Sequence, residues 1–205
     1  MPSGSAILAV YFVLFGAVHS VLADKRAKKA AGRLTGLDIG VWYRPAYVVL
    51  SSIMVLPFIY ILVAMPGKIL YKIPFPLIIL TASLQILSAI GMALSLAQTG
   101  FLDFFGLSQL FKRNRTKKGN RSKAGRLITT GFYCHLRNPL FLFGMIIVWL
   151  MPVMTLSLLV FNIMASLYFF VGALHEERSL LEEFGQAYRD YKRRVPMFIP
   201  RVRCS

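Results

Sequence analysis

Five apolar stretches divide the chain: residues 6–23, 47–65, 77–97, a shorter one ending at Met151, and residues 153–174. Four are long enough to cross a hydrocarbon core of about 30 Å, which takes roughly 20 helical residues. Of the 205 residues 57% are hydrophobic and 16% charged, against roughly 45–50% and about 25% in an ordinary soluble domain. A soluble globule of this size cannot hide so much apolar surface, and disorder needs the opposite composition. The expected fold is all-α: a polytopic membrane protein with five transmembrane helices and a C-terminal cytosolic amphipathic helix. It reads as one membrane domain over residues 1–205. Its parts are three N-terminal spans (1–97), a basic cytosolic connection (98–131), a helical hairpin (132–174), and a cytosolic helix and tail (175–205). No basic residue precedes residue 6, and residues 6–23 run into Asp24 and Lys25, so they read as a retained first span.

The fourth span is the least regular. Its purely apolar part, residues 140–151, would rise only about 18 Å as a helix. Extension back to Phe132 gives a full span, but one that contains His135, Arg137 and Asn138. Pro152 then leaves almost no loop before the fifth stretch, so the last two spans are expected to form a tight helical hairpin.

Basic residues set the orientation. The successive connections carry six, two, nine and no Lys or Arg, and the tail carries seven. Rich and poor segments alternate, which places the N-terminus outside and the C-terminus in the cytosol. A bacterial inner membrane is the working assumption. Residues 112–126 hold eight basic residues in fifteen. They read as a solvated loop drawn to anionic lipid headgroups, and the absence of interleaved aromatics argues against nucleic acid.

Residues 175–194 change character. They carry five of the eight acidic residues, and Leu180, Leu181, Phe184, Tyr188 and Tyr191 recur at spacings of 3 and 4. That pattern predicts an amphipathic helix ended by Pro196.

Polar groups inside a membrane segment are costly and point to function. Tyr133, His135, Arg137 and Asn138 open span four, and the hairpin brings them toward His175, Glu176 and Glu177 near the cytosolic rim. Blander roles remain open: snorkelling for Arg137, N-capping for Asn138 ahead of Pro139, and a solvated helix start for Glu176 and Glu177. The two cysteines, Cys134 and Cys204, sit at unrelated spacing, so neither a disulfide framework nor a metal site is expected.

The ordered set from Gly131 through Tyr133, Arg137-Asn138-Pro139 and Phe141, then Glu176-Glu177 and residues 183–191 (EFGQAYRDY), resembles the integral-membrane methyltransferases. That superfamily includes isoprenylcysteine carboxyl methyltransferase and the phospholipid N-methyltransferases. Asn138 stands where the wider family often has His, and Phe141 where it has Tyr. His19-Ser20, Trp42-Tyr43-Arg44 and residues 103–109 look like the bacterial branch of methanethiol S-methyltransferases. The resemblance implies an S-adenosylmethionine site at the cytosolic end of the last two spans, closed by the C-terminal helix. Carried over by position, Tyr133, His135, Arg137, Asn138 and Pro139 would line the cofactor opposite Glu176 and Glu177. Arg137, Glu177 and His135 would take catalytic roles, and Asp103, Gln109 and Arg44 would contact the acceptor. The implied acceptor is a small thiol, a prenylcysteine carboxylate or a lipid amine. A nicotinamide-dependent membrane reductase resembling the sterol reductases, and a non-catalytic membrane scaffold, are the alternatives.

Overall fold

A computed structural model describes residues 3–35, 39–101, 127–201 and 204. The described chain is mostly helical: α1 Gly4–Ala23, α2 Lys25–Thr35, α3 Ile39–Ala64, α4 Leu77–Thr99, the single turn α5 Phe132–His135, α6 Pro139–Trp149, α7 Leu156–Phe184 and α8 Gln186–Arg194. Two short strands, β1 Ile69–Lys72 and β2 Val153–Thr155, pair with each other. Gly4–Ala23, Trp42–Ala64, Leu77–Thr99 and Leu156–Phe184 are each long and apolar enough to cross a membrane, so the chain is an integral membrane protein with at least these four candidate spans. The basic loop at 112–126 lies outside the described residues.

The chain forms two compact units. The first contains, among the described residues, 3–35, 39–70, 101 and 155–161. Its core is aromatic: Phe12, Phe15 and Phe161 pack around Phe58 at ring separations of 5.1, 5.3 and 5.5 Å. Gly4 lies so close to Met65 that a Cβ would overlap that residue's backbone, so α1 and the end of α3 meet backbone to backbone. Buried Ser157 donates to the Met65 carbonyl at 2.7 Å, satisfying a helix-end carbonyl that hydrocarbon cannot solvate.

The second unit contains, among the described residues, 71–100, 127–154, 162–201 and 204. Gly91 of α4 lets the Phe143 ring of α6 approach; a Cβ there would sit 2.6 Å from it. Gln85 donates to the Ile147 carbonyl at 2.8 Å. On the other side of α6, buried Asn162 of α7 donates to the Val148 carbonyl at 2.9 Å, and Trp149 donates to Ser166 at 2.9 Å. Each contact uses a polar side chain to occupy a backbone or hydroxyl acceptor within an apolar helix pair, where unpaired polar groups are expensive.

Three expectations change in detail. The chain does not run as one helix from Phe132; it breaks after His135 and restarts at Pro139, with Leu136 extended at φ −153° and ψ 150°. Pro139 explains the restart: it disfavours helical backbone at Asn138 and has no N–H to give the His135 carbonyl four residues earlier. The turn between α6 and α7 holds the extended strand β2, whose β-branched Val153 and Thr155 suit that conformation. No helix boundary falls at Leu174: α7 continues to Phe184, and the break comes at Gly185, whose φ of +53° is a left-handed value suited to glycine.

Candidate functional site

The break before α6 prepares a site in the second unit. With residues 136–138 outside any helix, two backbone N–H groups are left over, and the C-terminal tail takes them. Arg137 N–H donates to the Pro196 carbonyl at 2.9 Å and Asn138 N–H to the Met197 carbonyl at 3.2 Å. This fixes the backbone from which the Arg137 side chain projects.

Arg137 Nη1 lies 2.5 Å from Glu177 Oε1, and Lys192 Nζ lies 2.6 Å from Glu177 Oε2. The Glu177 and Arg137 side chains are only 4% and 9% exposed, while Lys192 is 44% exposed. One buried carboxylate is thus shared by two cations from different elements, α8 supplying Lys192. A charge so far from water persists only when paired. Gly185 turns α8 back so that Tyr188, Tyr191 and Val195 bury against Leu127, Leu180, Leu181 and Phe184. Tyr191 also donates to the Tyr133 carbonyl at 2.6 Å. Burial, with Glu177 nearby, pushes the Tyr188 phenol up to about 12; burial raises Tyr191 as well. Both phenols therefore stay neutral near pH 7.

Beside this set lies a cavity of about 210 Å³, with Tyr133, Arg137, Glu176 and Tyr188 on its polar side and Leu127, Ile128, Leu180 and Phe184 on its apolar side. The structure brings Tyr133, Arg137 and Glu176 to one cavity and puts Glu177 behind Arg137. Asn138 stands at the start of α6, but its side chain makes no capping bond; it is buried with Nδ2 lacking a hydrogen-bond partner, as is Arg137 Nε. Pro139 is fully buried at the first helical position.

Other expected residues lie elsewhere. His135 Nδ1 is 2.6 Å from the Arg201 carbonyl, and its Nε2 is 3.5 Å from Cys204 Sγ; His135 does not line the Arg137 cavity. Arg44 lines a cavity in the first unit together with His19, Tyr47 and Ser51. Asp103 and Gln109 lie outside the described residues. Lys192 was hidden in the sequence among the neighbouring basic residues of the tail; only its register on α8 singles it out. Against the expectation of no disulfide, Cys134 and Cys204, separated by 70 positions, are paired with Cα atoms 5.1 Å apart.

A family model described as a protein of unknown function, DUF1295, matches residues 42–195, a stretch that contains Arg137, Glu176, Glu177 and Lys192. The chain belongs to the DUF1295 family. Its relatives include methanethiol S-methyltransferases 1 and 2 of Bradyrhizobium diazoefficiens. The first is 31% identical over 91% of this chain and 64% of its own length. The second is 30% identical over 97% of this chain and 75% of its own. A methanethiol S-methyltransferase of Mycobacterium tuberculosis is 31% identical over 97% of this chain and 80% of its own length. The chain therefore spans just under two thirds of the first of these relatives. No solved structure matches it. Membership of DUF1295, with relatives of these names, agrees with the resemblance to the membrane methyltransferases carried by residues 131–191.

Proposed function

We propose that this DUF1295 protein is a membrane-embedded methyltransferase that moves a methyl group from S-adenosylmethionine to a small thiol, using the cavity beside Arg137 and Glu176. The observation that carries the proposal is a buried guanidinium paired to Glu177, next to an accessible carboxylate, in a chain whose relatives bear the name methanethiol S-methyltransferase.

The residues suit this methyl donor, which carries a carboxylate, an ammonium and a sulfonium. Arg137 Nε and Asn138 Nδ2 are buried donors without a partner, and the Glu176 carboxylate opens on the same cavity as Arg137. When bound, S-adenosylmethionine supplies a methyl group already activated by positive sulfur. Arg137, locked in orientation by Glu177, presents its guanidinium to a carboxylate, a match that lysine's point charge would make less well. Glu176 offers a counter-charge to the ammonium or an acceptor to a ribose hydroxyl. Leu127, Ile128, Leu180 and Phe184 exclude water on the apolar side, strengthening attraction between a thiolate and a cationic centre. Alignment of nucleophile and methyl carbon is the main service such a site performs, worth about 7–11 kcal/mol in intramolecular analogues.

In this reading α6, together with the α5 turn and the non-helical link before it, makes a fifth crossing that pairs with α7 as a hairpin, and α8 caps the site from the cytosolic side. The alternation of basic segments supports an outside N-terminus, a cytosolic C-terminus and contact with anionic lipid in a bacterial inner membrane.

Binding of S-adenosylmethionine and of NADPH to the purified protein in lipid nanodiscs tests the cofactor. Saturable binding of the first, weakened at least about tenfold in Glu176→Gln, supports the proposal. Binding of NADPH alone contradicts it.

A further inference from the structure

The cluster at Cys134, His135 and Cys204 belongs to neither the Arg137 cavity nor the His19 cavity. It contains both cysteines of the chain. One ligand atom from each of the three residues lies within 4.8 Å of the others. Cys134 is buried on the α5 turn, and Cys204 is exposed on the tail.

The histidine is already oriented as metal-ligating histidines are. Its Nδ1 faces the Arg201 carbonyl at 2.6 Å, which fixes the proton on that nitrogen. The lone pair is then on Nε2, the atom facing Cys204 Sγ at 3.5 Å. In a tetrahedral site with metal–sulfur bonds of about 2.3 Å and metal–nitrogen bonds of about 2.0 Å, the sulfur–nitrogen edge is about 3.5 Å. Opening the sulfur pair to the about 3.8 Å edge of the same tetrahedron needs movement only of the exposed Cys204 end. The backbone around it is already registered, since Arg201 N–H donates to the His135 carbonyl at 3.0 Å.

We infer that, once the Cys134–Cys204 pair is reduced, the two thiolates and His135 Nε2 form a three-ligand site for a soft divalent cation of the zinc class, with the fourth position open. Reduction by two equivalents of a small thiol breaks one protein S–S bond, forms one S–S bond between the small thiols and leaves two protein thiols. Metal binding then releases two thiol protons, because only thiolates ligate. The bound ion clips the tail to the α5 turn, next to the backbone that carries Arg137. Oxidised and metal-bound forms are mutually exclusive, because they use the same two sulfurs.

Cobalt and zinc titration of the full chain in detergent tests this. The protein is first reduced with a phosphine and stripped on a chelating resin. Reduced wild type should take up one Co²⁺ per chain with a sulfur-to-cobalt charge-transfer band, bleached by one equivalent of Zn²⁺. The band should be absent from oxidised wild type, an equally folded control that needs no substitution. His135→Ala, which can still form the disulfide, and Cys204→Ser should each bind Co²⁺ at least tenfold more weakly. No band in the reduced protein, or equal bands in wild type and both variants, would overturn the assignment and leave the two cysteines as a disulfide alone.

Discussion

Arg137 and Glu177 meet at 2.5 Å, although one lies in the non-helical link before α6 and the other inside α7. Both side chains are nearly closed to solvent, so removing either one strands a buried charge. Arg137→Ala is therefore expected to lose donor binding and also about 3 kcal/mol of stability. Thermal unfolding in a fixed detergent measures the second effect. The double variant Arg137→Met with Glu177→Leu should recover most of the stability but none of the binding; a fully stable Arg137→Ala would show the pair to be solvated.

Lys192 shares the same carboxylate from its half-exposed position on α8. Solvent screens this contact, so Lys192→Met should cost only about 0.5–1 kcal/mol. Its effect on KM for the donor should exceed its effect on kcat, because the lysine anchors the capping helix and does not line the cavity. A kcat collapse with unchanged KM would place Lys192 at the reacting atoms instead.

Glu176 carries the cleaner test of binding. Glu176→Gln keeps the shape of a cavity wall and removes its negative charge. Donor affinity should fall by at least about tenfold, equivalent to about 1.4 kcal/mol, while the unfolding temperature stays within a degree or two of wild type. Unchanged affinity would move the donor away from this carboxylate.

How much of this was legible in the sequence follows from the range of each interaction. Four spans show because hydropathy is a local sum over about 20 residues. Arg137 and Glu177 stand out because a charge inside or beside an apolar run is conspicuous, whereas the change from apolar to polar at residue 175 does not mark the helix end, since α7 runs on to Phe184 and breaks only at Gly185. The helix restart at Pro139 was also written in the chain, since Asn followed by Pro at the first helical position is a helix-start signal. Lys192 was not legible, because choosing it over Arg193 or Arg194 depends on the register of α8 after Gly185. The meeting of Cys134 with Cys204 depends on the tail pairing with residues 135–138, a contact between segments some 70 positions apart.

Gly131 precedes the α5 turn with φ +64° and ψ −131°, a backbone state reached almost only by glycine, and a Cβ there would overlap the Gln98 amide. Gly131→Ala is expected to cost about 1–3 kcal/mol and to misplace Tyr133. Gln98→Ala in the same chain should relieve the overlap but not the backbone strain. Full restoration by the second change would show that crowding alone matters.

The central claim is tested most directly by methyl transfer itself. Purified protein in lipid nanodiscs is given S-adenosylmethionine with an isotope-labelled methyl group and methanethiol, and the headspace is analysed by mass spectrometry. Labelled dimethyl sulfide from wild type, at least a hundredfold above protein-free nanodiscs and reduced at least about tenfold in Glu176→Gln at sub-saturating donor, is the predicted result. Donor bound at the Arg137 cavity with no labelled thioether formed from methanethiol or other small thiols would contradict the account.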